Sequence, residues 1–249
     1  MLLCMNKFLN ITPIFNFYIH PVSISMEYQP LWLTLKLALV TTGCLLLVGI
    51  PIAAGLAINK SKFKPFLEAI ISLPLVLPPS VLGFYLLLAF SPNNGLGKFL
   101  ESVFNLRLVF SFPGLVISSV IYSLPFMVHP IQAGLEALPG SLREASQTLG
   151  KSNWQTFTQV LLPNIKPALL TGTILTFAHT LGEFGLVLMI GGNLPGVTKV
   201  ASIAIYDEVE SLNFSAAHRY AAILLVISFG ILLTVYLTNK RLSKNKLPV

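Results

Sequence analysis

Charge is scarce in this 249-residue sequence, where Asp, Glu, Lys and Arg together make up 10% of the positions. A soluble domain carries roughly 25%. So thin a supply cannot cover a water-facing surface, and disorder is excluded as well, because 54% of the residues are hydrophobic and the mean hydropathy is +0.78. Cysteine is scarcer still. Cys4 and Cys44 stand alone, one near the N-terminus and one inside an apolar run, so neither a disulfide framework nor a metal motif is written. His20, His129, His179 and His218 lie on separate segments, with no H-E-x-x-H and no Gly-x-Ser-x-Gly elbow. Catalytic residues and metal ligands are therefore not expected. The composition points to an all-α integral membrane protein in contact with lipid. At about 20 apolar residues per spanning helix, the length allows five or six spans and no large soluble domain. Soluble functions must come from partners.

Five uncharged or nearly uncharged runs are long enough to cross: 37–58, with Lys36 at its outer end, then 69–90, 108–128, 167–190 and 220–238. The fourth contains His179 and Glu183. A net charge of +7 would suggest nucleic acid in a soluble protein, but here the basic residues sort by side. Lys60, Lys62, Lys64, Arg143, Lys151, Lys166, Lys240, Arg241, Lys244 and Lys246 all fall on one face. The opposite face has Lys98, Arg107, Lys199 and Arg219, with Lys7 in the leader and the acidic cluster Asp207, Glu208 and Glu210, read as a solvated outer loop. The positive-inside rule makes the basic-rich face cytoplasmic, with the N-terminus of the main body outside and the C-terminus inside. No nucleic acid partner is expected.

Residues 1–25 form a poor span, broken by Asn10, Pro13, Asn16, His20 and Pro21, and no small-x-small cleavage site follows an apolar core. They read as a short leader, a consequence of start-site choice upstream of Met26, or a sixth, peripheral helix. The expected division is a membrane-spanning body over 26–240 and a short basic tail over 241–249.

The longest cytoplasmic connection, 136–166, has the most specific local signals. Pro139-Gly140 is a turn, and Ser141-Leu-Arg-Glu144 fits a capping box. A short helix should follow as far as Gly150, which suits a left-handed C′ position. A second box, Ser152-Asn-Trp-Gln155, starts another helix carrying Trp154, Phe157 and Val160 toward Leu162-Pro163. The result is a rigid elbow between two spans. Glu144-Ala145-Ser146, Gly150 and Val160-x-Leu162-Pro163 resemble the E-A-A, glycine and I-x-L-P signature of ABC-importer permeases, with Ser146 in place of alanine and Val160 in place of isoleucine. Leu73-Pro-Leu-Val-Leu-Pro78-Pro79-Ser80, Leu181-Gly182-Glu183-Phe-Gly185 and Asn193-Leu-Pro-Gly196 resemble molybdate permeases of the ModB type, while sulfate and tungstate permeases share the second of these segments.

The resemblance implies a type I ABC importer permease fold, MetI-like, with a coupling helix that docks in a cleft of an ATPase subunit through Ser141, Glu144, Ala145, Ser146 and Gly150. It also implies a bacterial inner membrane location, two ATPase subunits that use ATP and magnesium, and an extracytoplasmic oxyanion-binding protein. No cofactor is expected on this chain itself. Gly191 to Lys199 superficially suggests a P-loop, but Lys199 follows Thr198 instead of glycine. Five spans are too few to surround a gated path, so a two-fold homodimer with the path at its interface is expected.

Prolines in the second span remove backbone donors, so it should kink. The kink faces either the bundle and its pathway or lipid. Candidate pathway or gate residues are Pro78, Pro79, Ser80, Thr176, Thr180, Gly182 and Glu183. A carboxylate repels an oxyanion, so Glu183 is read as structural, held by His179 four residues away, by N–H groups near Gly182 and Gly185, or by a partner subunit, in preference to a direct substrate contact. Hydroxyls such as Ser80, Thr176 and Thr180 are the natural anion contacts. The rival from another class is an ion-coupled secondary transporter, for which Glu183 is the available mid-membrane carboxylate.

Overall fold

A computed structural model describes residues 27–244. The expected leader segment 1–25 and the end of the basic tail lie outside the described residues. Those described are predominantly helical, without a strand among them. Helix α1 (Gln29–Ile58) begins earlier than the first uncharged run, with proline in its first turn, where a missing N–H costs nothing. Lys36 consequently sits inside the helix, its Nζ 4.7 Å from the centre of the Phe112 ring.

The second span is broken more severely than a kink. Helices α2 (Lys64–Val76) and α3 (Pro79–Phe90) meet at 110°. Pro78 and Pro79 have no N–H to offer the preceding turn, so the helix is interrupted there. A short helix, α4 (Gly95–Phe104), leads to α5 (Phe112–Glu136), the central helix, whose start is capped by Ser111 accepting from the Gly114 N–H at 3.2 Å. The third span thus lies further along the chain than its uncharged run suggests.

The elbow comprises α6 (Gly140–Thr148), α7 (Asn153–Thr156), a π-helical turn Phe157–Leu161 and the three-residue α8 (Leu162–Asn164). Helix α9 (Lys166–Leu181) turns 76° from the elbow and re-enters the bundle. The fourth span then breaks at Gly182–Phe184 before α10 (Gly185–Gly191). The acidic cluster is not a loop, because α11 (Ala201–Glu210) carries it and each member is bonded. Asp207 pairs with Lys199 at 2.6 Å, Glu208 accepts from Asn213, and Glu210 accepts from Tyr206. Lys199, the residue that suggests a P-loop, is thereby held in an ion pair. Helix α12 (Phe214–Lys244) returns across the membrane and continues past position 240.

Among the described residues, three helices are long and apolar enough to cross a membrane, and up to five spans result if each bent pair counts as one. The core divides by depth. Leu33, Leu37, Leu115, Val187, Ile190 and Ile203 form one apolar cluster, and Leu45, Leu56, Met127, Val128, Ile131 and Ile165 form another. Buried hydroxyls accompany them, Ser118, Ser119 and Ser123 on α5 and Thr176 and Thr180 on α9, with Ser123 Oγ 3.2 Å from Thr180 Oγ1 across the contact. Glycine allows the close approaches, since a Cβ on Gly49 would stand 2.8 Å from Met127 Cγ.

Candidate functional site

Both broken spans open on one place. A cavity of about 660 Å³ is lined by Pro79 and Ser80 from the first turn of α3, by Tyr122 of α5, by Ala178 and His179 of α9, and by the break from Gly182 to Gly185. The two breaks touch. A Cβ on Gly185 would lie 3.3 Å from Pro79 Cβ, and one on Gly83 would lie 2.9 Å from Met189 Cβ, so α3 and α10 pack through glycine. Among the described residues, no lysine or arginine lines this cavity.

Glu183 is 4% exposed and sits in the break, not on a helix face shared with His179. The expected pairing of the two is therefore not made. Ser119 Oγ donates to Glu183 Oε2 at 2.7 Å, and Ser202 Oγ of α11 donates to the Glu183 main-chain oxygen at 2.6 Å. Glu183 Oε1 has no hydrogen-bond partner among the described residues, so N–H groups near Gly182 and Gly185 do not serve it. His179 turns elsewhere. Its Nδ1 lies 2.9 Å from Ser123 Oγ, and its ring stacks on Phe126 with centroids 4.1 Å apart, with Tyr122 at 4.6 Å.

Of the pathway candidates, Pro79, Ser80, Gly182 and Glu183 come together at the cavity, and Pro78 stands just before α3. Thr176 and Thr180 do not reach it. Both are buried in the bundle, Thr180 donating to the Thr176 carbonyl at 3.0 Å and lying 3.2 Å from Ser123 Oγ. Thr180 ties α9 to α5 through Ser123, while Thr176 Oγ1 has no hydrogen-bond partner among the described residues. Sequence reasoning misses Ser119, Tyr122, Ser123 and Phe126, although their spacing places them on one face of α5. Ser202 gives no sequence signal at all.

The elbow is the second site. Ser141 does not cap α6, because the helix starts at Gly140 with Pro139 before it and no side-chain cap bond is made, which leaves Ser141 one residue too deep. The second box forms as expected: Gln155 N–H donates to Ser152 Oγ at 3.2 Å, and Ser152 N–H donates to Gln155 Oε1 at 3.0 Å. Gly150 has φ +77°, and a Cβ at this position would meet nothing within 4 Å, so it is the backbone angle that demands glycine. Ser146 is buried, its Oγ 2.9 Å from Thr156 Oγ1, and this bond clamps α6 to α7. The serine that replaces alanine in the motif thus has an internal partner. Glu144 and Ala145 are exposed, as are Leu149 at 79% and Trp154 at 72%. Large apolar side chains held in water by a doubly braced elbow are suited to contact another protein.

Comparison with known proteins gives the family. The profile described as "Binding-protein-dependent transport system inner membrane component" matches residues 46–244. The molybdenum transport system permease protein ModB of Azotobacter vinelandii is 45% identical over 208 residues, covering 84% of this chain and 92% of that protein. The sulfate transport system permease protein CysT of Escherichia coli (strain K12) is 34% identical over 181 residues, covering 73% of this chain and 65% of that protein. Among solved structures, a chain of the inward-facing MetNI methionine ABC transporter aligns with a TM-score of 0.67 at 17% identity, over 87% of this chain and 95% of that one, which is a likeness of fold. The chain belongs to the binding-protein-dependent transport system inner membrane components, the ABC-importer permeases whose signature its elbow carries.

Proposed function

We propose that this chain is the permease subunit of an ATP-driven importer and that its cargo is molybdate. The observation that carries the cargo is the 45% identity with ModB, along nearly the full length of that protein. Sulfate is the second reading, favoured by the 34% identity with CysT. Two copies of the chain face each other across a two-fold axis, with the cavities at the breaks forming the path. Below them, two ATPase subunits bind ATP and magnesium and receive the elbow, with Glu144, Ala145 and Gly150 at the contact. Above them, an extracytoplasmic binding protein delivers the anion.

The chemistry of the cavity suits this task. A transport path must let its cargo leave, so binding there has to be weak. Ser80, Tyr122 and His179 offer polar groups, and no lysine or arginine among the described residues lines the cavity to trap a dianion. Glu183 holds the break in shape through Ser119 and Ser202. Tight, selective capture then belongs to the binding protein.

Uptake of labelled molybdate by cells that depend on this chain tests the proposal. Uptake should stop when ATP is depleted with the ion gradient intact, and excess sulfate should compete poorly. Uptake that persists without ATP would assign a secondary carrier. Effective competition by sulfate at equal concentration would transfer the cargo to the second reading.

A further inference from the structure

Where the elbow folds back against the inner ends of α1 and α5, it encloses another pocket, of about 340 Å³. Ala54, Ala57, Leu135, Leu138, Phe157 and Leu161 give it apolar walls, and Lys60 and Arg143 line it as well. These two cations differ from their neighbour Lys64, which is paired with Glu136 at 2.8 Å and with Glu68 at 3.8 Å. Lys60 and Arg143 have neither a hydrogen bond nor an ion pair among the described residues. Glu136 also lines the pocket, but its Oε1 already accepts from Lys64 and, at 2.9 Å, from Gln132 Nε2. Two positive charges are left uncompensated beside an apolar wall.

The position narrows the ligand. Helix α1 ends at Ile58 and the elbow begins at Gly140, so the pocket lies where the chain leaves its spanning segments, on the basic-rich face. A small soluble anion would satisfy the cations and leave the walls wet. An anionic phospholipid satisfies both, and basic pockets between spans on the cytoplasmic side are suited to such headgroups. We propose that this pocket binds one anionic phospholipid, its phosphate against Lys60 and Arg143 and its acyl chain along the Ala54, Ala57 and Leu135 wall. The lipid joins the end of α1 to the elbow.

Native mass spectrometry of the full-length protein, loaded with phosphatidylglycerol or phosphatidylcholine, tests the site. The wild type should keep phosphatidylglycerol at collision energies that strip phosphatidylcholine. K60Q/R143Q should lower the retained fraction about tenfold, and K98Q on the opposite face should not. On the wild type alone, phosphatidylglycerol should raise the thermal midpoint while inorganic phosphate leaves it unchanged, a comparison that stands even if the double variant fails to fold. Equal retention of the two lipids, or unchanged retention in K60Q/R143Q, overturns the proposal. A thermal shift from inorganic phosphate equal to that from lipid assigns a soluble anion and also overturns it. So does displacement of the lipid when the ATPase subunit is added, because the two cations would then belong to a protein contact.

Discussion

Replacing Glu183 separates a structural carboxyl from a coupling one. Glu183→Ala removes the acceptor of Ser119, whose side chain is fully buried, and leaves that hydroxyl unsatisfied. Such a loss costs about 1 to 3 kcal/mol. The void adds little, because the side chain borders an existing cavity and the lost volume merges with it. The Ser202 bond survives, since it goes to the main-chain oxygen. Glu183→Gln keeps an acceptor for Ser119 and should cost less than about 1 kcal/mol. The expected order in thermal unfolding of the detergent-solubilised protein is wild type, Gln, then Ala. Ser119→Ala and the double variant complete a cycle whose interaction energy should be about 1 kcal/mol or more, as for residues in direct contact. Molybdate uptake driven by ATP should survive in Glu183→Gln at a reduced rate, with little change in its pH profile. Complete loss of that uptake with normal expression and dimerisation would refute the structural role, and so would a cycle with no interaction energy.

The elbow gives two further expectations. Glu144→Lys, on an exposed position, should leave folding intact and weaken co-purification with the ATPase subunit; unchanged association and transport would remove Glu144 from the contact. Gly150→Ala forces a side chain into a left-handed conformation at a local cost of about 1 to 2 kcal/mol and should lower transport more than membrane insertion, measured as uptake per inserted protein. Capping predicts that Ser152→Ala destabilises the elbow by about 1 kcal/mol while Ser141→Ala changes it negligibly, which hydrogen exchange over residues 140–164 can resolve. Topology is checked by cysteine labelling from outside intact cells: a thiol near Asn213 should react and one near Lys244 should not, and the reverse pattern would invert the orientation.

Long apolar runs are the strongest signal a sequence can carry, and the spans are legible from them, with ends that agree at Ile58, at Phe90 and to one residue at both ends of the fourth span, and that differ by four to eight residues elsewhere. The breaks are legible only in part. Pro78-Pro79 announces a disruption because its cause is covalent, yet its 110° angle depends on what the two halves pack against. The break at Gly182–Phe184 has no such marker, since a Leu-Gly-Glu-Phe-Gly stretch reads equally well as continuous helix. A continuous helix would pair His179 with Glu183, and losing one helical turn sends them to different partners, Ser123 and Ser119. Ser141 shows the converse error. A capping box is defined by spacing, but Pro139 starts the helix one residue early, and Ser141 then sits inside the first turn with nothing to cap.

Because Pro78 and Pro79 have no N–H, the carbonyls of Pro74 and Leu75 receive no bond from the next turn, and main-chain polarity is left without a helical partner in the middle of an apolar span. Main-chain atoms are common to all residues and are not erased by exchanging side chains. The bend at Pro78-Pro79 therefore persists when the side chains around it are exchanged, as long as the two prolines remain.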